Sequence, residues 1–349
     1  MAIRGVWITA TDSQVLYSKN NIADAMQFLA QTGFNVVFPV VWTRGYTVYP
    51  SPIMRQQFGI EIDPRFAGRD PLGELVEEAQ KVGISVIPWF EYGFMASYSQ
   101  KGGHLLAKKP EWAARDVTGN LLKKHDFEWM NSFDPDVQNF ILSLMLEVIN
   151  NYPVDGIQGD DHLSLPSEGG YDQKTVALYQ KTFNQLPPQN PKDWEWLRWR
   201  ADLVTDFLAR VYQSVKSVNP ELIVSMSPSV YRWGLIEYLQ DTKTWCDRKI
   251  FDWIHPQVYN LDFAGYRRSV DRLVVQQFNS QQLRTLSPGI LLINRAEKYR
   301  ITPDDLVKRI AYNRSYGIEG EVFFFYEGLR AENNLLAQVL RDGVYSKFI

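Results

Sequence analysis

Val154-Asp155-Gly156-Ile157-Gln158-Gly159-Asp160-Asp161-His162 reads as a β-strand, 154–158, running into a polar strand end. It lies between two amphipathic stretches with helical spacing, 135–151 and 193–218. The same alternation extends along the whole chain. Seven further short apolar or β-branched runs qualify as strands: 5–9, 35–41, 84–90, 222–226, 253–258, 289–293 and 321–325. Helical patterns at 21–32, 71–82, 233–241, 263–278, 303–316 and 333–342 alternate with them. Parallel strands need crossover connections, so eight successive βα units predict an α/β fold with a parallel sheet. They fit a closed (β/α)8 TIM barrel best, and 349 residues exceed the usual ~250 by enough to allow long βα loop insertions. The insertions fall after strands two, three and four, at 43–70, 93–133 and 163–192. No linker, repeat or low-complexity tract divides the chain, so 1–349 is expected to be a single domain. Asp134-Pro135 and Thr302-Pro303 each place a cap residue before a proline at the first helical position. Pro39, Pro88 and Pro256 fall inside strand runs and predict bulges or strand ends.

Composition narrows the function. The 37 Lys and Arg nearly cancel the 40 Asp and Glu, leaving a net charge of −3, and glycine-rich phosphate loops are missing. Neither nucleic acid nor phosphate chemistry is expected from that balance. Cys246 is alone, which excludes a disulfide framework. His104, His125, His162 and His255 form no HxH or HExxH pattern, so no His-ligated metal and no cofactor are expected. No apolar run reaches the length of a membrane span, and Met1-Ala2-Ile3-Arg4 carries no leader pattern, which leaves location open. Oligomeric state has no signal in the sequence. The aromatic load stands out: 11 Trp, 18 Tyr and 19 Phe exceed what a core commonly needs.

In such a barrel the active site lies at the C-terminal rim of the strands. The rim residues are Thr9, Thr11 and Asp12; Trp42 and Arg44; Trp89, Glu91 and Tyr92; then Gln158 to His162. Ser225, Ser227, Ser229, His255, Gln257, Tyr259, Asn260, Asn294, Tyr326 and Glu327 complete the set. Strand alternation puts Gln158, Asp160 and His162 on one face, and a bend at Gly159 would bring Asp161 to the same cavity. Two adjacent carboxyls cannot both ionise cheaply, so one should hold its proton beside an ionised neighbour. Asp160, Asp161 and Glu91, on the neighbouring strand, are therefore the catalytic candidates. A helix cap for the Asp pair, or a rim salt bridge for Glu91, is the competing reading. Asp155 sits at the far end of its strand and is expected to be structural, and His255 to be a satisfied core histidine.

Sugar rings stack their C–H faces on aromatic side chains, and their hydroxyls pair with polar groups. Trp42, Trp89, Tyr92, Tyr259 and Tyr326 are the expected platforms. Arg44, His162, Gln257, Asn260, Asn294 and Glu327 are the expected polar contacts. Trp7 lies too deep for this role, while Trp194, Trp196 and Trp199 on the long helix are expected to pack. Carboxyls among ring platforms point to glycosidic cleavage of an oligo- or polysaccharide.

The motifs Arg4-Gly-Val-Trp-Ile-Thr9, Gly45-Tyr-Thr-Val-Tyr-Pro50, Ile87-Pro-Trp-Phe-Glu-Tyr-Gly-Phe-Met95, Val154–His162 and Pro166-Ser-Glu-Gly-Gly-Tyr-Asp172 resemble the glycosyl hydrolase-like 10 family. Ser225-Met-Ser-Pro228, Pro256-Gln-Val-Tyr259 and Phe323-Phe-Phe-Tyr-Glu327 continue the resemblance through nearly the whole chain. It implies a (β/α)8 glycoside hydrolase, with amino-sugar glycans of the bacterial cell wall as the leading substrate class and export as the usual location. Gly159 departs from the family pattern, which commonly has a bulky apolar or aromatic residue there, and is expected to open the site or loosen the strand end. The strand-four motif also resembles that of chitinase-like hydrolases, whose acid is a Glu at the position of His162. The resulting expectation is hydrolysis with Asp160 as nucleophile or base and Asp161 or Glu91 as general acid. The alternative is a non-catalytic glycan-binding barrel; a metal-dependent hydrolase lacks a visible ligand cluster.

Overall fold

The computed structural model describes residues 2–348. Eight strand runs follow one another in parallel, each hydrogen-bonded to the next. The first, Arg4–Ile8, pairs with the second, Val36–Pro39, in the register Gly5 to Val36 through Ile8 to Pro39. The fourth, Gly156–Asp160, lies between Trp89–Phe90 of the third run and the fifth, Ile223–Ser227. The eighth, Glu321–Phe324, returns to the first through Arg4 opposite Glu321. The strands thus follow one another in a ring.

Prolines interrupt two of these runs. The third consists of Ser85–Val86 and Trp89–Phe90, the sixth of Trp253–Ile254 and Gln257–Val258. Pro88 and Pro256 have no N–H to donate, yet their carbonyls accept from Gln158 N at 2.8 Å and from Gly289 N at 2.9 Å. The lower piece of each run pairs mainly with the preceding strand and the upper piece mainly with the following one, with single bridges such as Val40 to Trp89 and Ile254 to Leu286 on the other side. Pro39 is the last residue of its strand, as expected of a proline there.

Helices form where the apolar spacing placed them, among them Lys19–Thr32, Pro71–Lys81, Pro135–Asn151, Trp194–Val218 and Phe263–Gln276. Asp134 and Thr302 cap their helices by accepting from Asp136 N and Asp305 N. The eighth helix differs from its expected span: it starts at Tyr326, directly after the strand, and is kinked at 331–334 before ending at Val339. The segment after strand two holds a two-residue hairpin at Arg44-Gly45 and a short helix, Pro52–Phe58. The segment after strand three holds a three-stranded antiparallel sheet, Met95–Tyr98, Phe127–Trp129 and Lys123–Lys124. Among the described residues no helix is long and apolar enough to cross a membrane.

Trp7 sits within the ring, its indole against Phe38, Trp89, His255 and Phe324 at 5.8–6.4 Å between ring centres. Its Nε1 donates to Gln158 Oε1 at 2.6 Å, and Gln158 Nε2 passes a hydrogen bond to Ser225 Oγ at 2.9 Å. This polar thread closes one interior layer and sets the floor for the next, which begins at Asp160. Of the long-helix tryptophans, Trp196 is buried and stacks on Trp199, but Trp194 is largely exposed beside Arg198 and does not pack as expected.

Candidate active site

The fourth strand ends at Asp160, and Asp161-His162 turn back over it. Gly93 makes this turn possible: at φ +45° it approaches so closely that a Cβ there would stand 2.3 Å from the His162 carbonyl. Phe94 N then donates to the His162 carbonyl at 2.9 Å. The result places His162 Nδ1 2.7 Å from Asp160 Oδ1, 3.2 Å from Asp161 Oδ1 and 3.1 Å from the Glu91 carbonyl.

Asp160 is the deepest of the three, with 2% of its side chain exposed, against 15% for Asp161 and 23% for His162. Its Oδ2 accepts from Trp89 Nε1 at 2.7 Å, Ser227 Oγ at 3.2 Å and Gln257 Nε2 at 3.4 Å. Asp161 Oδ2 accepts from Ser229 Oγ at 3.0 Å, and Gln240 Nε2 donates to the Asp161 carbonyl. Glu91 Oε2 accepts from Thr43 Oγ1 at 2.6 Å.

Charge in this cluster is minimised by pairing one carboxylate with one imidazolium. Burial and the Asp161 charge push Asp160 well above the usual carboxylate range. Burial also works against ionised Asp161, but the His162 charge and the hydrogen bonds around it hold Asp161 below its ordinary value. His162 is opposed by burial too, and the Asp161 and Asp160 carboxyls push it up to about 10. Burial raises Glu91. These shifts favour the proton on Asp160 and the negative charge on Asp161. Burial acts on both carboxyls, and the His162 charge and hydrogen bonds at Asp161 offset it there.

The expected sugar contacts divide. Tyr259, Asn260 and Asn294 line a cavity of about 650 Å3 together with Asp12 and Arg295. Arg44, Tyr92 and Glu91 line a second cavity of about 450 Å3, with Asp12 again in its wall. Tyr259 stacks on Phe324 at 5.2 Å, and Gln257 reaches Asp160. Trp42 is not a platform: its ring is fully buried, edge-on to Phe140, with Nε1 donating to the Gly93 carbonyl at 3.0 Å. Trp89 is 3% exposed and serves Asp160 as a hydrogen-bond donor, leaving little ring face for a sugar. Tyr326 is buried against Phe28, because the eighth helix starts at that residue. Glu327 lies in the same first turn, accepts from Ser13 Oγ at 2.7 Å and faces a smaller cavity at the edge of the mouth.

Asp155 Oδ2 accepts from Val86 N at 2.7 Å at the opposite end of the strand, a structural contact. His255 is buried with Nδ1 2.9 Å from the Ser287 carbonyl, but its Nε2 has no partner, so it is only half satisfied. The space beside Gly159 is filled: a Cβ would meet Leu163 at 2.7 Å and Met226 at 2.8 Å. The missing side chain is replaced from neighbouring positions and leaves no opening into the site. Ser227 and Ser229 were legible as rim residues in the alternation of Ser225-Met-Ser-Pro-Ser229, though not as carboxyl partners. Phe127 and Trp129, each 5.8 Å from the His162 ring, come from the antiparallel insertion and had no sequence signal. Among the described residues Asp160, Asp161 and His162 also form a group of metal-ligating type, with ligand atoms within 4.8 Å of one another. One of the four histidines thus joins two aspartates in such a cluster, which the sequence spacing did not suggest.

The parallel α/β ring, with carboxyls gathered at the strand ends, is the kind of fold that glycoside hydrolases use. Two solved structures show this likeness of fold over nearly their full length. The PgaB (BpsB) glycoside hydrolase domain from Bordetella bronchiseptica matches with a TM-score of 0.73 at 12% identity, covering 97% of this chain and 99% of that one. The catalytic domain of β-amylase from Paenibacillus polymyxa matches with a TM-score of 0.69 at 10% identity, covering 99% and 98%. The chain belongs to the glycosyl hydrolase-like 10 family, whose model matches residues 2–301. Glycosyl hydrolase DigH of Escherichia coli O6:H1 is 27% identical across 74% of this chain, which spans 62% of that protein's length. Glycosyl hydrolase YngK of Bacillus subtilis is 23% identical across 99% of this chain and 72% of its own.

Proposed function

We propose that the chain is a (β/α)8 glycoside hydrolase, folded as one domain, that cleaves glycosidic bonds in an amino-sugar-containing bacterial cell-wall glycan. The observation that carries the reading is His162 Nδ1 within 3.2 Å of both Asp160 and Asp161 and 3.1 Å from the Glu91 carbonyl. Two carboxyl groups that flank a scissile bond stand roughly 5–9.5 Å apart. Neighbours sharing one imidazolium act instead as a single unit, so Glu91 is the second partner. In this assignment Asp161 is the ionised carboxylate that activates water or steadies the developing positive charge on the sugar. Glu91, raised by burial, is the general acid that protonates the leaving oxygen. Asp160 holds its proton and orients Asp161 through His162. The substrate class follows the expectation drawn from the family resemblance and is supported by the polar and aromatic lining of the two cavities. Reducing-end release from peptide-free glycan strands tests the assignment. Glu91→Gln and Asp161→Asn should each lower kcat by about 10²–10⁴-fold with folding intact. Near wild-type release from either variant would remove that residue from the mechanism.

A further inference from the structure

Gln240 lies outside the strands that carry the carboxyls, yet it is fully buried and reaches Asp161. The segment after the fifth strand brings it there. A short helix, Trp233–Tyr238, ends at Leu239, whose φ of +58° lies in the left-handed region although the residue is not glycine. Leu239 N donates to the Leu235 carbonyl and Gln240 N to the Gly234 carbonyl, both at 3.1 Å, so the helix itself holds the reversal. A side chain in this backbone region costs energy that its surroundings must offset, and such positions gather at functional sites. Gly234 leaves room for the incoming amide: a Cβ there would stand 2.9 Å from Gln240 Oε1.

The amide is matched at both ends. Nε2 donates to the Asp161 carbonyl and, at 3.3 Å, to Ser164 Oγ, which itself donates to the Asp161 carbonyl at 3.1 Å. Oε1 accepts from Ser229 N at 2.9 Å. A backbone N–H only donates and a carbonyl only accepts, so the amide has one orientation here. Ser229 Oγ in turn donates to Asp161 Oδ2 at 3.0 Å. Gln240 therefore grips Asp161 twice, directly at its backbone and through Ser229 at its carboxylate. Asp161 needs this grip because it lies one residue past the strand end at Asp160, and its Oδ1 has no hydrogen bond of its own.

We propose that Gln240 is a positioning residue, which fixes the Asp161 carboxylate against His162 by holding the Asp161 carbonyl and its Ser229 donor together. The inference rests on the hydrolase reading and adds to it a residue that touches neither substrate nor reacting atoms. The test compares wild type, Gln240→Met and Gln240→Glu on a peptide-free cell-wall hexasaccharide. Gln240→Met keeps the volume and loses every amide contact; Gln240→Glu keeps the acceptor for Ser229 N and loses the donors toward Asp161. Both are expected to fold with unchanged KM and lowered kcat, by about 10²-fold for Gln240→Met, the cost of displacing a reacting group by about 1 Å. Combined with Ser229→Ala, Gln240→Met should cost less than the product of the two single losses, because both act on one carboxylate. Wild-type kcat in either folded variant, a loss carried by KM alone, or full multiplication of the two losses overturns the proposal. Failure of both variants to fold overturns it in favour of a structural role. If wild type releases no reducing ends, the hydrolase reading is what has failed. The 15N shifts of the His162 imidazole then decide the positioning: displaced shifts in Gln240→Met support it, and shifts identical to wild type overturn it.

Discussion

Replacing His162 with glutamine removes the cation that ties Asp160 to Asp161, and the geometry fixes the sign of the result. The imidazole is raised to about 10 in the folded protein, against ~6.5 when unfolded. A group raised by folding stabilises fully below its unfolded value, so the contribution is complete below about pH 6.5 and is lost as pH climbs through about 10. At about 1.4 kcal/mol per pH unit the ceiling on that contribution is ~5 kcal/mol. Urea unfolding at pH 6 and pH 10 reads it directly. Wild type should lose more than His162→Gln over this interval, because only wild type carries an imidazolium to titrate, while the raised Asp160 titrates in both. The double comparison cancels the tyrosines and lysines that both proteins share. Parallel losses in the two proteins would refute an imidazolium at this position, and with it the assignment of the proton to Asp160.

Two further substitutions probe the frame around the cluster. Trp42→Ala should cost about 3–5 kcal/mol, since the ring is fully buried against Phe140, while glycan affinity of the folded protein stays at the wild-type level; lower affinity with normal stability would make Trp42 a sugar platform after all. Gly93→Ala puts a methyl group 2.3 Å from the His162 carbonyl at positive φ, so it should destabilise by at least about 1–3 kcal/mol and lower kcat by moving His162. An alanine variant with unchanged Tm and kcat would show that the turn does not depend on that approach.

The strand and helix order was readable because it is written in local periodicity. Arg4–Ile8, Gly156–Asp160 and Ile223–Ser227 are apolar runs that pair as such, and Asp134-Pro135 starts its helix where a cap and a proline must. What local pattern could not give was the effect of pairing partners. Pro88 and Pro256 read as defects within strands, yet each keeps its carbonyl in the ladder by accepting from the next strand. The eighth helix starts seven residues before its apolar spacing predicts, and Tyr326 looks like a rim aromatic until Phe28 of another helix covers it.

Depth is the quantity that sequence parity cannot measure, and it decides the chemistry. Parity correctly put Gln158 and Asp160 on the interior face, as their bonds to Trp7 and Trp89 show. It could not tell that Trp89 and Trp42 would be spent inside the ring, nor that Asp160 would be nearly sealed while Asp161 kept a window to the mouth. Burial and an ionised neighbour push a carboxyl toward its protonated form, while the donors around it work against that push. The exposed neighbour, balanced by His162, then carries the charge. Adjacent aspartates in a sequence are symmetric; it is the single step from strand end into turn, allowed by Gly93, that gives the two carboxyls different depth and partners.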